Sequence, residues 1–256
     1  MTFRLRVGAV VGLGVVAAAV LLCLPRLPQD PHYHDFADQR TLLGVPHALN
    51  VLSNLPLCIV GVLGLWQVRR GRFLQPAERW PYAVLFAGVA LTGLGSSYYH
   101  LDPDNERLVW DRLPMTVAFM GFFAAQLAER VSLRAGARLL GPLVALGAAS
   151  VLYWHETERR GAGDLRPYYL VQFYPLAATP LLLVLFPPRY TGAPYVWAAL
   201  GFYLLAKIVE LPALDRGIFL LSGVISGHTL KHLLAALGAY ALVWMLAVRR
   251  PTAAGV

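Results

Sequence analysis

Five residues carry side chains that can do chemistry at spacings a helix converts into geometry. Ser96 and His100 lie four apart at the end of one apolar run, and Asp111 follows eleven residues after His100, at the start of the next. Near the C-terminus His228 and His232, in SGHTLKH, repeat the four-residue spacing at the head of a long apolar stretch. Residues four apart share one helix face with Cβ atoms about 6 Å apart. His228 and His232 can therefore bind one ion from one helix, while Ser96 and His100 can point into one cavity. Three imidazoles plus a water form a common catalytic zinc arrangement, with the fourth position left open. Zinc lowers the pKa of that water to roughly 7 and polarises a carbonyl oxygen. An ionised Asp111 can take the water's proton, and the Ser96 hydroxyl can hydrogen-bond the water or the oxyanion that develops. The bland alternative stands beside this: a lone histidine at the end of a membrane helix is ordinarily an interfacial polar residue, and HxxxH alone is a weak signal. The combination weighs against it, because ionisable groups within spans are costly and mark function.

The elements that must position these residues are transmembrane helices. The 256 residues are 57% hydrophobic and 14% charged, with a mean hydropathy of +0.56, whereas soluble domains carry about 25% charged residues. The apolar residues fall in blocks of roughly 17–25, the length that crosses about 30 Å of hydrocarbon. The fold class expected is all-α and polytopic, with a seven-helix core plus one extra N-terminal helix. The net charge of +8 does not point to nucleic acid, because the arginines sit in short loops where they orient a membrane protein. Cys23 and Cys58 both lie inside apolar spans, so no disulfide framework is expected.

Eight spans are predicted, at about 7–24, 47–68, 80–100, 112–127, 139–154, 168–186, 193–211 and 227–248, with Ser226 as the N-cap of the last. Residues 1–26 read as an extra transmembrane helix or signal anchor, left uncleaved because no small-x-small site precedes Pro25. Residues 27–250 read as one seven-helix membrane domain. Alternating the spans puts twelve arginines, among them Arg69, Arg70 and Arg72, on the side of both termini and eight on the other. That bias predicts cytoplasmic termini in a plasma or inner membrane. The same alternation brings His100, Asp111, His228 and His232 to one, outer, face.

Other polar residues have milder expectations. Lys207 and Glu210 lie three apart and are expected to form a structural ion pair. Lys231 is expected to point off the face of its neighbouring histidines and to snorkel or meet an anion. Tyr98, Tyr99 and Trp110 read as interface anchors, with Tyr99, Trp110 and Lys231 as weak substrate-binding candidates. His32 and His34 read as solvated, and His155 as an interfacial residue before it is a fourth ligand.

At the five opening residues the chain resembles the alkaline ceramidases, within the wider group of seven-helix membrane hydrolases and receptors that includes the adiponectin-receptor type. The resemblance rests on Ser96-Ser-Tyr-Tyr-His100, on Asp111-Arg-Leu-Pro-Met115, on His228-Thr-Leu-Lys-His232, and on Ser53-Asn54 upstream, spanning about residues 35 to 244. It implies that His100, His228 and His232 bind Zn²⁺, with Asp111 and Ser96 engaging the water. It also implies hydrolysis of the amide of an N-acyl lipid, with the bilayer supplying the substrate. The family's calcium site retains Asp35 and Asp38 here, but Arg40 stands where the resemblance places an asparagine. A cation beside an arginine is disfavoured, so calcium is not expected.

Rival readings remain open at this point. A receptor-like lipid sensor with the same zinc centre and little hydrolysis would keep similar residues. A metal transporter would show repeats and broken mid-membrane helices, and an intramembrane serine protease would leave Asp111 unexplained.

Overall fold

A computed structural model describes residues 1–71 and 73–253, so Arg72 of the predicted loop lies outside the described residues. Ten α-helices occur among these residues. They are α1 (Phe3–Cys23), α2 (Ala48–Leu52), α3 (Leu55–Arg70), α4 (Arg79–Leu101), α5 (Asn105–Arg130), α6 (Leu133–Arg159), α7 (Arg166–Leu185), α8 (Ala193–Val209), α9 (Pro212–Ser222) and α10 (Gly227–Val248).

Among the described residues six spans are long and apolar enough to cross a membrane: α1, α2 with α3, α5, α6, α7 and α10. The pair α8 and α9, bent by 83°, makes a seventh if it is taken as one span. The 23-residue α4 has the length, but Gly93, Gly95, Ser96 and Ser97 dilute its hydropathy near the histidine end. Large side chains on α1, including Val15, Val16 and Leu22, are 60–71% exposed. An apolar surface this continuous belongs against lipid. The protein is a multi-pass helical membrane protein.

Several helices run past the apolar blocks that announce them. Asp104 caps α5 by accepting a hydrogen bond from the Arg107 amide at 2.7 Å, so the helix begins at Asn105, seven residues ahead of the predicted start at 112. Ser132 likewise caps α6. An apolar block shows only the part of a helix within hydrocarbon, whereas the cap shows where its backbone begins. Helix α9 is not anticipated in the sequence reading. Pro212 in its first turn has no amide hydrogen to bond back to α8, so the chain turns and starts a new helix there. Ser226 is the N-cap of α10, as predicted, accepting from the Thr229 amide at 3.1 Å.

The core runs between α3, α4, α5, α8 and α10 around Leu57, Leu85, Phe86, Val89 and Met245. Two glycines permit the close approaches the site needs. A Cβ at Gly95 would lie 1.9 Å from the Trp110 carbonyl oxygen, and one at Gly227 would lie 2.1 Å from that of Val209. The first contact sets the end of α4 against the start of α5. The second sets α10 against the turn between α8 and α9. Helix α1 packs on α7, where the Tyr174 hydroxyl donates to the Val10 carbonyl at 2.9 Å.

Candidate metal centre

Each histidine is placed by a helix end. His100 occupies the last turn of α4, and His228 and His232 occupy the first turns of α10. Asp215 of α9 ties that end together, with one carboxylate oxygen accepting the His228 amide at 2.6 Å and the other the Ala37 amide at 3.0 Å. His100, His228 and His232 are 0%, 6% and 4% exposed, and one ligand atom from each lies within 4.8 Å of the others. The His100 and His228 Nε2 atoms are 3.2 Å apart. Tetrahedral ligands at about 2.05 Å from a zinc ion are about 3.4 Å apart, so the spacing suits a metal ion of that size.

The hydrogen bonds of His232 fit the same purpose. Pro56 breaks the helix between α2 and α3 at Ser53-Asn54, and the break turns the Ser53 hydroxyl towards α10. Ser53 donates to the Asn50 carbonyl at 3.1 Å, which leaves its oxygen to accept from His232 Nδ1 at 2.8 Å. A proton on Nδ1 puts the lone pair on Nε2, and that atom is buried with no protein partner. A buried imidazole nitrogen oriented by an outer hydrogen bond and left bare on its inner side is what a metal ligand requires. The cluster can hold a metal ion.

Ser96 and Asp111, at 2% and 7% exposure, line one cavity with His232, Lys231 and Arg112. Asp111 lies in the second turn of α5, not at its first residue. An adjoining cavity is almost wholly apolar, lined by Leu85, Val89, Phe122 and Leu242 among others. Leu57, Thr92, Met115, Tyr203 and Ala235 border both. A polar chamber beside His232 thus lies against an apolar one between α3, α4, α5, α8 and α10.

Lys231 meets the anion expected of it, Glu210, but on the side of the histidines. Its ammonium does not leave the face of the histidines, because Nζ lies 3.1 Å from His228 Nε2 and 3.1 Å from Glu210 Oε2. The side chain, 17% exposed, turns inward to Glu210. Lys207 pairs with the other oxygen of Glu210, which makes the expected pair a triad. A metal ion bound there would compete with the Lys231 ammonium for the His228 lone pair and would leave Lys231 to Glu210.

The remaining residues fall apart from the triad. Tyr99 is buried beneath His34, whose Nδ1 is 2.7 Å from its hydroxyl, while Tyr98 and Trp110 are 47% and 58% exposed on the outside. His34 is thus bonded within the protein, whereas His32 is exposed beside Asp35 at 2.9 Å. His155 pairs with Glu106 at 3.3 Å. Both oxygens of Asp38 are taken by the Arg40 guanidinium at 2.8 Å, which is the cation the acidic stretch holds. Burial pushes the Asp38 carboxyl up, but the Arg40 guanidinium and amide outweigh it and hold the group below the usual carboxylate value.

Phe36 carried no signal in the sequence reading. Its ring packs over His228 and His100 with centroids at 4.4 and 4.8 Å, closing the cluster from the N-terminal segment. Asn50, which braces Ser53 and accepts from the Thr229 hydroxyl at 2.9 Å, and Asp215 were missed for the same reason. Their roles depend on pairings between segments distant in the chain, 179 residues apart for Asn50 with Thr229 and 178 for Asp215 with Ala37. No protein-family model and no curated protein matches the chain.

Proposed function

We propose that the protein is an integral-membrane, zinc-dependent amide hydrolase that cleaves the N-acyl bond of a ceramide-like or other N-acyl lipid. The observation that carries this reading is the adjacency of three parts. A three-histidine cluster with a bare Nε2 borders, through His232, a chamber lined by Asp111 and Ser96, and that chamber shares five lining residues with an apolar cavity. Three neutral imidazoles suit zinc, which when bound there supplies Lewis acidity to a carbonyl and to water. The apolar chamber can keep an acyl chain out of water while its amide reaches the histidines.

Asp111 accepts the proton of the attacking water as the water oxygen joins the acyl carbon. It returns that proton to the nitrogen as the C–N bond breaks, giving a carboxylic acid and an amine. Ser96 donates to the oxygen that gains charge on the way. The topology that accompanies this reading has eight spans, with both termini cytoplasmic and the histidines towards the outer face of the plasma or inner membrane.

One observation favours a receptor-like lipid sensor instead: the Lys231 ammonium against His228 Nε2 weakens the centre as a catalyst. Metal analysis and fatty-acid release separate the two. Purified protein is expected to carry about one zinc per chain and to release fatty acid from an N-acyl sphingoid lipid. Asp111→Asn should keep the zinc and lose activity by about 10²–10⁴-fold. Zinc without release would leave the sensor standing, and protein without zinc would remove both.

A further inference from the structure

Cations around the polar chamber outnumber the anions, and one of them, Arg112, is buried. Arg112, Lys207 and Lys231 line it against Asp111 and Glu210. Glu210 is shared between both lysines, so neither has a carboxylate to itself. Arg112 is 4% exposed, yet its Nη2 donates only to the neutral Gln29 Oε1 at 2.7 Å, and its Nη1 is buried with no acceptor. The rings of Trp154, Tyr168 and Tyr33 lie 4.2, 4.9 and 5.4 Å from its Cζ. They cradle the guanidinium without neutralising it. A buried charge with an unfilled donor is costly, and a guanidinium fork is the donor that best matches a carboxylate.

The position of Arg112 decides which part of a lipid it meets. The apolar cavity extends along α5 towards Phe119 and Phe122, whereas Arg112 sits in the second turn of that helix, beside Tyr33. An acyl chain lying in the apolar cavity leaves the amine portion of the molecule at the Arg112 end.

We propose that this chamber recognises an anionic amine portion, so that the substrates are N-acyl amino acids whose free carboxylate meets Arg112 in the field of Lys207 and Lys231. This rests on the amide-hydrolase reading for the position of the scissile bond. It departs from the neutral sphingoid amine that the family resemblance implies.

The test is binding, read apart from turnover. The full chain in nanodiscs is titrated with N-palmitoylglycine, with its methyl ester and with palmitate. The free acid should bind about 10–100-fold more tightly than the ester, the span of one charge-assisted hydrogen bond. Arg112→Gln should bring that ratio towards one, and Arg112→Lys should restore part of it. Equal binding of acid and ester, or a ratio unchanged in Arg112→Gln, overturns the proposal. Palmitate bound as tightly as N-palmitoylglycine, and as dependent on Arg112, also overturns it, because the site would then read a fatty acid's own carboxylate. If Arg112→Gln does not fold, Lys207→Gln takes its place and should lower the ratio. Release of palmitate from acid and ester is measured in parallel. Equal turnover without binding preference sinks this proposal and spares the hydrolase. Preference without turnover sinks the hydrolase and spares the anion site.

Discussion

Helix α4 carries a buried polar cluster at each end, eighteen residues apart between Tyr82 and His100, or about 27 Å at the rise of an α-helix. At the Tyr82 end each acid has a basic partner, although Arg130 is buried there without an ion pair among the described residues. Glu129 meets Arg249 and accepts from the Tyr82 hydroxyl at 2.8 Å. Glu78 meets the Tyr190 hydroxyl and lies 3.3 Å from Arg189. Burial and the Glu78 carboxylate push the Tyr190 hydroxyl up to about 12, so it stays a donor at neutral pH. Some nitrogens of Arg249 lack acceptors, but its charge has a counter-charge. The cluster clasps the end of α10 onto α4 and α5.

At the His100 end the matching stops. Three histidines face one another with no carboxylate between them, and among the described residues His232 Nε2 and Arg112 Nη1 are buried without partners. Unpaired buried atoms occur at the Tyr82 end as well, so what sets this end apart is the convergence of three imidazoles on one point. One end of the helix therefore reads as a fastening and the other as a place prepared for ligands.

Substitutions at the two ends should give opposite patterns. The largest effect is expected for His232→Ala, which should abolish zinc binding and fatty-acid release with little change in thermal unfolding. Full zinc content in this variant would undo the assignment of the centre. Glu129→Ala should do the reverse. It strands the Arg249 charge and should lower stability by about 3–5 kcal/mol while leaving zinc per folded chain unchanged, as read by detergent-resistance melting and metal analysis. A smaller effect is expected for Ser53→Ala, which removes the partner of His232 Nδ1. Competition with a chelator should show metal affinity falling about 10–100-fold, and an unchanged affinity would mean that Ser53 does not set the tautomer. The smallest effect concerns the segment that carries Phe36. The Asp38 carboxyl titrates below its unfolded value of about 3.9. Its contribution is therefore full above about pH 4 and is lost as pH falls through the lower folded value. Hydrogen exchange at Phe36 and Ala37 should rise over that acid range, and Arg40→Gln should move the rise to higher pH.

Much of the histidine end was legible along the chain. The four-residue spacings of Ser96 with His100 and of His228 with His232 report a shared helix face wherever the helix lies. Counting spans then sends Asp111 and the histidines to one end of the bundle. Helix α9 was not legible, because an 11-residue helix after Pro212 lacks the length by which a span declares itself. That Lys231 would meet an anion was legible, but its direction was not, because helical spacing alone takes no account of Glu210 arriving at the end of α8.

The sequence by itself determined a membrane bundle and the three imidazoles, since hydropathy and helical periodicity are local properties. Only the tertiary structure decided that Ser53 orients His232, that Phe36 covers the triad, and that Arg112 is left without a counter-charge. Each of these depends on which distant group fills the space beside a buried atom, and no spacing along the chain encodes it.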